Sequence, residues 1–251
     1  MDKPFSSDFW SQEDFIKFIG ENDDRLRVVE DIISLKTQNK AMQLAEKFKA
    51  ASIPDEKALE MAEQLWNPYT KLKEIHKILV ILAFRSNVQA FRIIEKYKEN
   101  PHPRAEEMVR FCYHISKISL EGELTDQPLG LIATGLGGKK TKLRFLLVIF
   151  PENPVPLTKA QQKIIQNEWK EICAKYDIET ESKYSCPEYV LFRLLSPLRV
   201  DFAEVAREFV TECNLYGNFL SNKILITNVR LLKKWEILSA LEQIRSEKKG
   251  G

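Results

Sequence analysis

The sequence predicts an α+β protein whose N-terminal half is all helical and whose C-terminal half contains a four-stranded sheet followed by a last helix. Between about residues 11 and 120, apolar residues recur every three to four positions, as in amphipathic helices. After Glu121 the pattern changes to short apolar runs bounded by Gly and Pro, as in strands. We therefore expect a helical domain over residues 1–124, a Gly- and Lys-rich connector over 125–143, and an α+β domain over 144–251.

Composition supports a folded chain and excludes several classes of protein. The 251 residues are 44% hydrophobic and 29% charged, which is enough apolar material for a core. The net charge of +2 gives no strong field for binding nucleic acid or an anionic membrane. No apolar run approaches the roughly 20 residues of a membrane span, and the first residues lack the order of a signal peptide. We therefore expect a cytoplasmic protein with no membrane partner.

Helix starts in the first half are marked by capping residues and prolines. Ser11 opens a capping-box-like Ser-Gln-Glu-Asp sequence, and Ser52 with Pro54 opens a later helix. The helix Tyr69–Phe84 is apolar on several sides, which predicts that it is buried between its neighbours. The other predicted helices are Leu26–Leu35, Ala41–Ala51, Val88–Tyr97 and Glu106–Ser119.

An internal repeat emerges when the first half is aligned with itself at an offset of 49 residues. Ala41–Lys49 then faces Ala90–Lys98, and Pro54 falls on Pro103. A helix-turn-helix unit that stacks on a copy of itself would give this pattern, and a generic helical bundle is the alternative. Over roughly residues 20–120 the chain resembles the HEAT-like repeat proteins. This resemblance implies a surface that binds protein or nucleic acid, without chemistry.

The second half has the element order β-α-β-β-α-β and then a helix, which resembles the ferredoxin-like fold. Its first and third strands are the apolar ones, so we expect them to be central and paired. The first strand is apolar on both faces, so the last helix (through Trp235, Leu238 and Leu241), the helical half or a partner must cover it. The predicted elements are Arg144–Phe150, Thr158–Tyr176, Ile178–Tyr184, Tyr189–Leu195, Phe202–Cys213, Lys223–Val229 and Leu231–Arg245.

The most distinctive stretch is rich in glycine and lysine. Glycines allow consecutive backbone N–H groups to converge on an anion, and the cations beside them would add positive potential. The stretch lacks the GxxxxGK[ST] pattern of a P-loop. A flexible connector and a contact with phosphate or an RNA backbone both remain open. The candidate residues are Gly135, Gly137, Gly138, Lys139, Lys140, Lys142 and Arg144.

Motifs for catalysis or metal binding are missing from the sequence. His76, His102 and His114 are the three histidines, and no Asp, Glu, His or Cys residues have the spacing of a metal site. The four cysteines lack zinc spacing, so we expect reduced and mostly buried thiols. We therefore expect no catalytic residue, no metal, no cofactor and no enzymatic activity.

These observations predict a non-enzymatic adaptor that binds a protein partner through its surfaces, with no oligomeric state specified. Trp66, Tyr69 and Phe84 lie near predicted helix ends and are the candidate partner-surface residues, because aromatic side chains dominate binding hot spots. One alternative is an RNA- or ribosome-associated factor that uses the basic Gly-rich loop. A second alternative is a small-molecule or nucleotide sensor.

Overall fold

The computed structural model describes residues 25–49, 53–127 and 129–249. It combines helices with an antiparallel curled sheet, as the predicted α+β class requires. The described residues divide into two compact bodies, a helical body over residues 25–140 and a sheet body over residues 141–249. The predicted helix that begins at Ser11 and the predicted helix start at Ser52 lie outside the described residues.

The helical body consists of α-helices, two 3₁₀ turns and very short strands. Its strands are β1 (Leu26–Val28), β2 (Gly130–Ile132) and β3 (Gly138–Lys139). Its helices are α1 (Leu35–Lys49), α2 (Asp55–Ala62), α3 (Leu72–Ala83), α4 (Val88–Glu99) and α5 (Glu106–Thr125). The 3₁₀ turns are Glu63–Trp66 and Pro103–Ala105.

Helix α3 forms the centre of the helical body. Most of its side chains are buried, as the apolar run in the sequence predicts. Helices α1, α2, α4 and α5 all pack against it, and α1 also packs against α5. In a solenoid each repeat would contact only its neighbours, with the two copies stacked in series. Here α1, the first helix of one copy, contacts α5, the second helix of the other copy, and both contact α3. The HEAT-like arrangement is therefore wrong, and the helices form a bundle.

The predicted helix Leu26–Leu35 is also wrong, because its first residues form strand β1. Strand β1 pairs in parallel with β2, so that Leu26 lies opposite Gly130. The pairing continues with a hydrogen bond from the Val29 N–H to the Ile132 carbonyl. Leu26 and Val28 are buried while Arg27 between them points outward, which is the alternation of a half-buried strand.

The Gly- and Lys-rich segment packs into the helical body up to residue 140. Its residue Leu136 is fully buried. Gly137 has φ = +65°, and a Cβ built there would lie only 2.4 Å from the Asp31 carbonyl oxygen. The segment is therefore held against the turn that follows β1.

The sheet body contains one antiparallel sheet with the strand order β7-β4-β6-β5. Strands β4 and β6 are its central pair, with Leu147 opposite Phe192, as the two apolar runs predict. The strands are β4 (Lys142–Ile149), β5 (Glu179–Ser185), β6 (Val190–Pro197) and β7 (Leu225–Thr227). The helices are α6 (Lys159–Tyr176), α7 (Phe202–Asn214) and α8 (Lys234–Lys249).

Helices cover both faces of this sheet. On one face, α6 and α7 enclose an aromatic cluster in which the Trp169 ring centroid lies 4.4 Å from that of Phe192 and 5.0 Å from that of Phe209. On the other face, α8 packs Ile237 and Leu241 against the sheet. The last helix is therefore the cover that the doubly apolar first strand requires. Trp235, which we expected in this interface, is instead 65% exposed.

Replacing Gly137 with alanine should destabilise the helical body by about 3 kcal/mol, because the new Cβ would meet three backbone oxygens and the backbone has a left-handed conformation. Those oxygens belong to Val29, Glu30 and Asp31. Gly217→Ala is the matched control, since Gly217 has φ = +131° but nothing within 4 Å of its added Cβ. That variant should lose about 1–2 kcal/mol from backbone strain alone. Urea unfolding checks both values, and equal losses would contradict this account of Gly137.

Candidate anion-binding site

The cations at the end of the predicted basic loop are already paired with carboxylates of β5 and the turn before it. Lys142 Nζ lies 2.9 Å from an oxygen of Asp177 and 2.9 Å from one of Glu179. Arg144 donates two hydrogen bonds to Glu181, at 2.7 and 2.9 Å. Burial alone would lower the pKa of Lys142, but the hydrogen bonds with Glu179 and Asp177 raise it. These two residues therefore serve the sheet, and a ligand phosphate would have to displace acids already in place.

The rest of the loop packs against the helical body. Lys139 and Lys140 are exposed, and the Lys140 backbone N–H, at φ = +55°, points to a carboxylate oxygen of Glu30 at 3.3 Å. The three glycines of the loop are buried against the helical body: Gly135, Gly137 and Gly138. Backbone groups that contact protein oxygens in this way have a structural role.

The predicted partner-surface residues lie in separate environments. Trp66 stacks edge-to-face on Tyr97 at 5.9 Å between ring centroids, whereas Tyr69 is 91% exposed in the turn before α3. Phe84 is partly exposed at the end of α3 and lines a shallow apolar cavity together with Met42. The structure therefore gives these three residues no common surface.

A polar pocket lies where the start of α1 and the start of α5 meet beside α3. Its volume is about 530 Å³. Hydrogen bonds join the two helix starts, because the hydroxyls of Ser34 and Thr37 both donate to Glu107, at 2.7 and 2.6 Å. Burial alone would raise the pKa of Glu107, but these hydrogen bonds lower it. The lining residues are Ser34, Lys36, Thr37, Lys40, His76, Pro103, Arg104, Glu106, Glu107, Met108 and Arg110.

His76 is the buried polar residue of this pocket, with 7% of its surface exposed. Its Nδ1 lies 2.6 Å from Lys40 Nζ, so the neutral ring accepts a hydrogen bond from the ammonium group. Burial and then the Lys40 charge lower the pKa of His76 to about 4, against a smaller opposing effect of the Arg104 backbone. Its Nε2 is buried without a hydrogen bond of normal geometry among the described residues. Such a buried and unsatisfied donor is costly, and it marks a place where a ligand acceptor would be stabilising.

Positive charge exceeds negative charge in the pocket. Four cationic side chains line it, against the two carboxylates of Glu106 and Glu107. Glu106 lies 3.5 Å from Arg110, while Glu107 is occupied by the two hydroxyls. The partner of Lys40 is the uncharged His76 ring, so this pair leaves a full positive charge. The N-termini of α1 and α5 add the positive ends of their helix dipoles.

This arrangement is suited to binding an oxyanion at the surface. Lys36, Lys40 and Arg104 are exposed at the mouth of the pocket, and His76 lies at its buried side. Ammonium and guanidinium groups form short, charge-assisted hydrogen bonds with phosphate oxygens. Sequence reasoning missed this site because its cations are spread over residues 36–110 and no local motif connects them.

Other reactive groups have structural roles. His114 Nε2 lies 2.8 Å from an Asp31 oxygen, and this hydrogen bond lowers the pKa of Asp31. Cys112 and Cys213 are free and buried, and burial raises the pKa of Cys213 to about 12, so neither is a nucleophile at neutral pH. Among residues 25–49, 53–127 and 129–249, no three His, Cys, Asp or Glu residues form a group that could hold a metal ion. None of the helices described here has the length and apolar character needed to cross a lipid bilayer.

Comparison with known proteins gives weak structural matches to transposases. No family model and no curated protein matches the chain. The REP-associated tyrosine transposase bound to a REP hairpin is 14% identical, with a TM-score of 0.32, over 38% of this chain and 60% of that one. A protein from Deinococcus radiodurans classed as a transposase is 13% identical, with a TM-score of 0.33, over 42% of this chain and 90% of that one. The chain thus spans less than two thirds of the REP-associated transposase.

These neighbours correct several expectations from the sequence. They are transposases, which are enzymes, and not HEAT-repeat or ferredoxin-like adaptors. The two resemblances, the non-enzymatic adaptor function and the protein or ribosome partner find no match among them and are not retained. The alternatives of an RNA-associated factor and of a nucleotide sensor gain no support. Similarity at this level assigns no activity or residue role to the present chain.

His76 should make the protein less stable in mild acid. Its pKa of about 4 in the folded state lies below the ordinary value of 6.5, so the unfolded chain binds more protons between these pH values. Stability should therefore fall as the pH drops from about 6.5 to 4, by about 1–2 kcal/mol after allowance for solvent screening. His76→Gln should remove this part of the pH dependence, and His102→Gln should keep it. Urea unfolding at pH 7 and pH 4.5 measures the change in unfolding free energy with pH. If that change is as large in His76→Gln as in the unaltered protein, the assignment is refuted.

Proposed function

We propose that this chain binds DNA and that the pocket beside His76 receives a phosphate group of the DNA backbone. The observation that carries the proposal is the contact between Lys40 and His76 at 2.6 Å. Among the described residues no carboxylate forms an ion pair with Lys40, and the His76 Nε2 has no hydrogen bond of normal geometry. A phosphate oxygen would accept a hydrogen bond from the Lys40 ammonium group and neutralise its charge.

The position of the cations favours a phosphate that approaches from outside. Lys36, Lys40 and Arg104 are all exposed, so a group on the outer surface of a polymer can reach them without opening the fold. Phosphates of DNA project from the duplex in this way, and contacts with them supply most of the sequence-independent affinity of DNA-binding proteins. The volume of about 530 Å³ leaves room for a phosphate and the groups bonded to it.

A charge-removing variant in the pocket tests this proposal. Lys40→Gln should weaken binding to a short DNA duplex by about 3- to 10-fold at low salt and reduce the slope of log K against log salt by about 1. Lys57→Gln is the matched control, because Lys57 is an exposed lysine on α2 of the same body, away from the pocket. Fluorescence anisotropy with a labelled duplex over 50–200 mM salt would measure both variants.

Two further measurements separate the sources of phosphate. Inorganic phosphate should compete with the duplex only at millimolar concentration. If phosphate stabilises the protein against heat while no duplex binds, the ligand is a free anion and the DNA assignment fails. It also fails if an RNA duplex of the same sequence binds more tightly than the DNA, or if Lys40→Gln and Lys57→Gln lose affinity equally.

A further inference from the structure

The start of α8 carries an exposed tryptophan among apolar and cationic residues. Trp235 is 65% exposed, and Val229 and Leu231 on the preceding segment are also exposed. Lys233 and Lys234 stand immediately before it in the sequence and are exposed as well. An exposed indole beside other apolar side chains is unfavourable in water, which marks a binding surface.

The helix itself explains why Trp235 points outward. Ile237 and Leu241 are four residues apart, so they share the face of α8 that packs on the sheet. Trp235 is two residues before Ile237, which turns it by about 200° around the helix axis, away from that face. Its exposure therefore follows from the same packing that covers the sheet.

Hydrogen bonds fix the backbone on which Trp235 stands. The Lys233 N–H donates to a Glu236 oxygen at 2.8 Å, and the Arg230 guanidinium donates to both oxygens of the same carboxylate. The hydrogen bond from Arg230, and then that from the Lys233 backbone, lower the pKa of Glu236 to about 2. Glu236 thus stays ionised, caps the helix and is neutralised by Arg230. The hydrogen bond with Cys186, and to a smaller extent the charge of Lys234, lowers the pKa of Glu188, and the charge of Lys233 adds to the lowering at Glu236. Both lysines are exposed and keep their positive charge in the segment that carries the indole.

We propose that Trp235 is a stacking platform for an unpaired base of DNA, with the lysines beside it facing the adjoining phosphates. The identity of the polymer rests on the proposed function, and the new element is the preference for unpaired bases. Flat aromatic side chains stack on bases of single strands, where the base faces are open, and each such contact contributes about 1–3 kcal/mol. In a duplex those faces are covered by neighbouring base pairs. Charge complementarity and an exposed ring are the features that single-strand binding surfaces combine.

Single-stranded DNA provides the direct test, because stacking quenches indole fluorescence. Adding a 12-nucleotide oligothymidine to the 251-residue chain should quench tryptophan emission, and Trp235→Phe should abolish most of the quenching with less than a 3-fold loss of affinity. Trp235→Ala should lower single-strand affinity by about 5- to 150-fold, the equivalent of losing one stacked base. It should leave duplex affinity unchanged. Trp66→Phe is the matched control, since Trp66 is partly exposed in the helical body and should not affect the quenching.

The outcomes separate this inference from the proposed function. If Lys40→Gln has no effect but Trp235→Ala weakens single-strand binding, the pocket assignment fails and the stacking platform stands. If duplex binding depends on Lys40 while Trp235→Ala changes nothing, the stacking platform fails alone. A blue shift of Trp235 emission with phosphatidylglycerol vesicles, without quenching by oligothymidine, would overturn the inference in favour of a membrane surface. Circular dichroism should show unchanged folding, because the Trp235 side chain is largely outside the core.

Discussion

The burial of α3 at the centre of the helical body is the constraint on which the pocket depends. Four helices pack around α3 and bury most of its side chains, and His76 is buried with the apolar residues of the same helix. A buried imidazole needs a hydrogen-bond partner, and Lys40 of α1 supplies one. Burial, and then the Lys40 charge, lower the pKa of His76 and so keep the ring neutral. The contact also holds the lysine cation near the start of α5. The positive charge of the pocket therefore follows from bundle packing.

Local patterns in the sequence predicted the elements whose signal is contained within one segment. The apolar runs of β4 and β6 identified a central strand pair, and the apolar helix around His76 was correctly placed in the core. Strand β1 was missed because its partner lies about 100 residues later, and the run from Leu26 to Leu35 has apolar spacing that also fits a helix. Pairing over such a distance depends on the tertiary structure, and single-segment periodicity does not contain it.

The candidate site shows the same limit for charge. The run from Lys139 to Arg144 looks basic in the sequence, but β5 places Glu179 and Glu181 beside Lys142 and Arg144. Conversely, the cations of the pocket are isolated in sequence and meet only because α1, α3 and α5 converge. Counting charges along a chain therefore locates lysines and arginines, while the fold decides which of them keep a net charge for a ligand.

The two proposed surfaces would recognise different parts of one polymer by different physics. The pocket would act on phosphate through charge, so its contribution weakens as salt screens the interaction. The Trp235 surface would act on a base through stacking and desolvation, which depend little on salt. Neither contact reads the hydrogen-bonding edge of a base, so together they favour a backbone with unpaired bases over any particular sequence. The buried His76 Nε2 has no hydrogen bond of normal geometry among the described residues, and Trp235 leaves apolar area of the folded protein in water. Local defects of this kind are expected where a protein has kept a functional contact at the expense of its own packing.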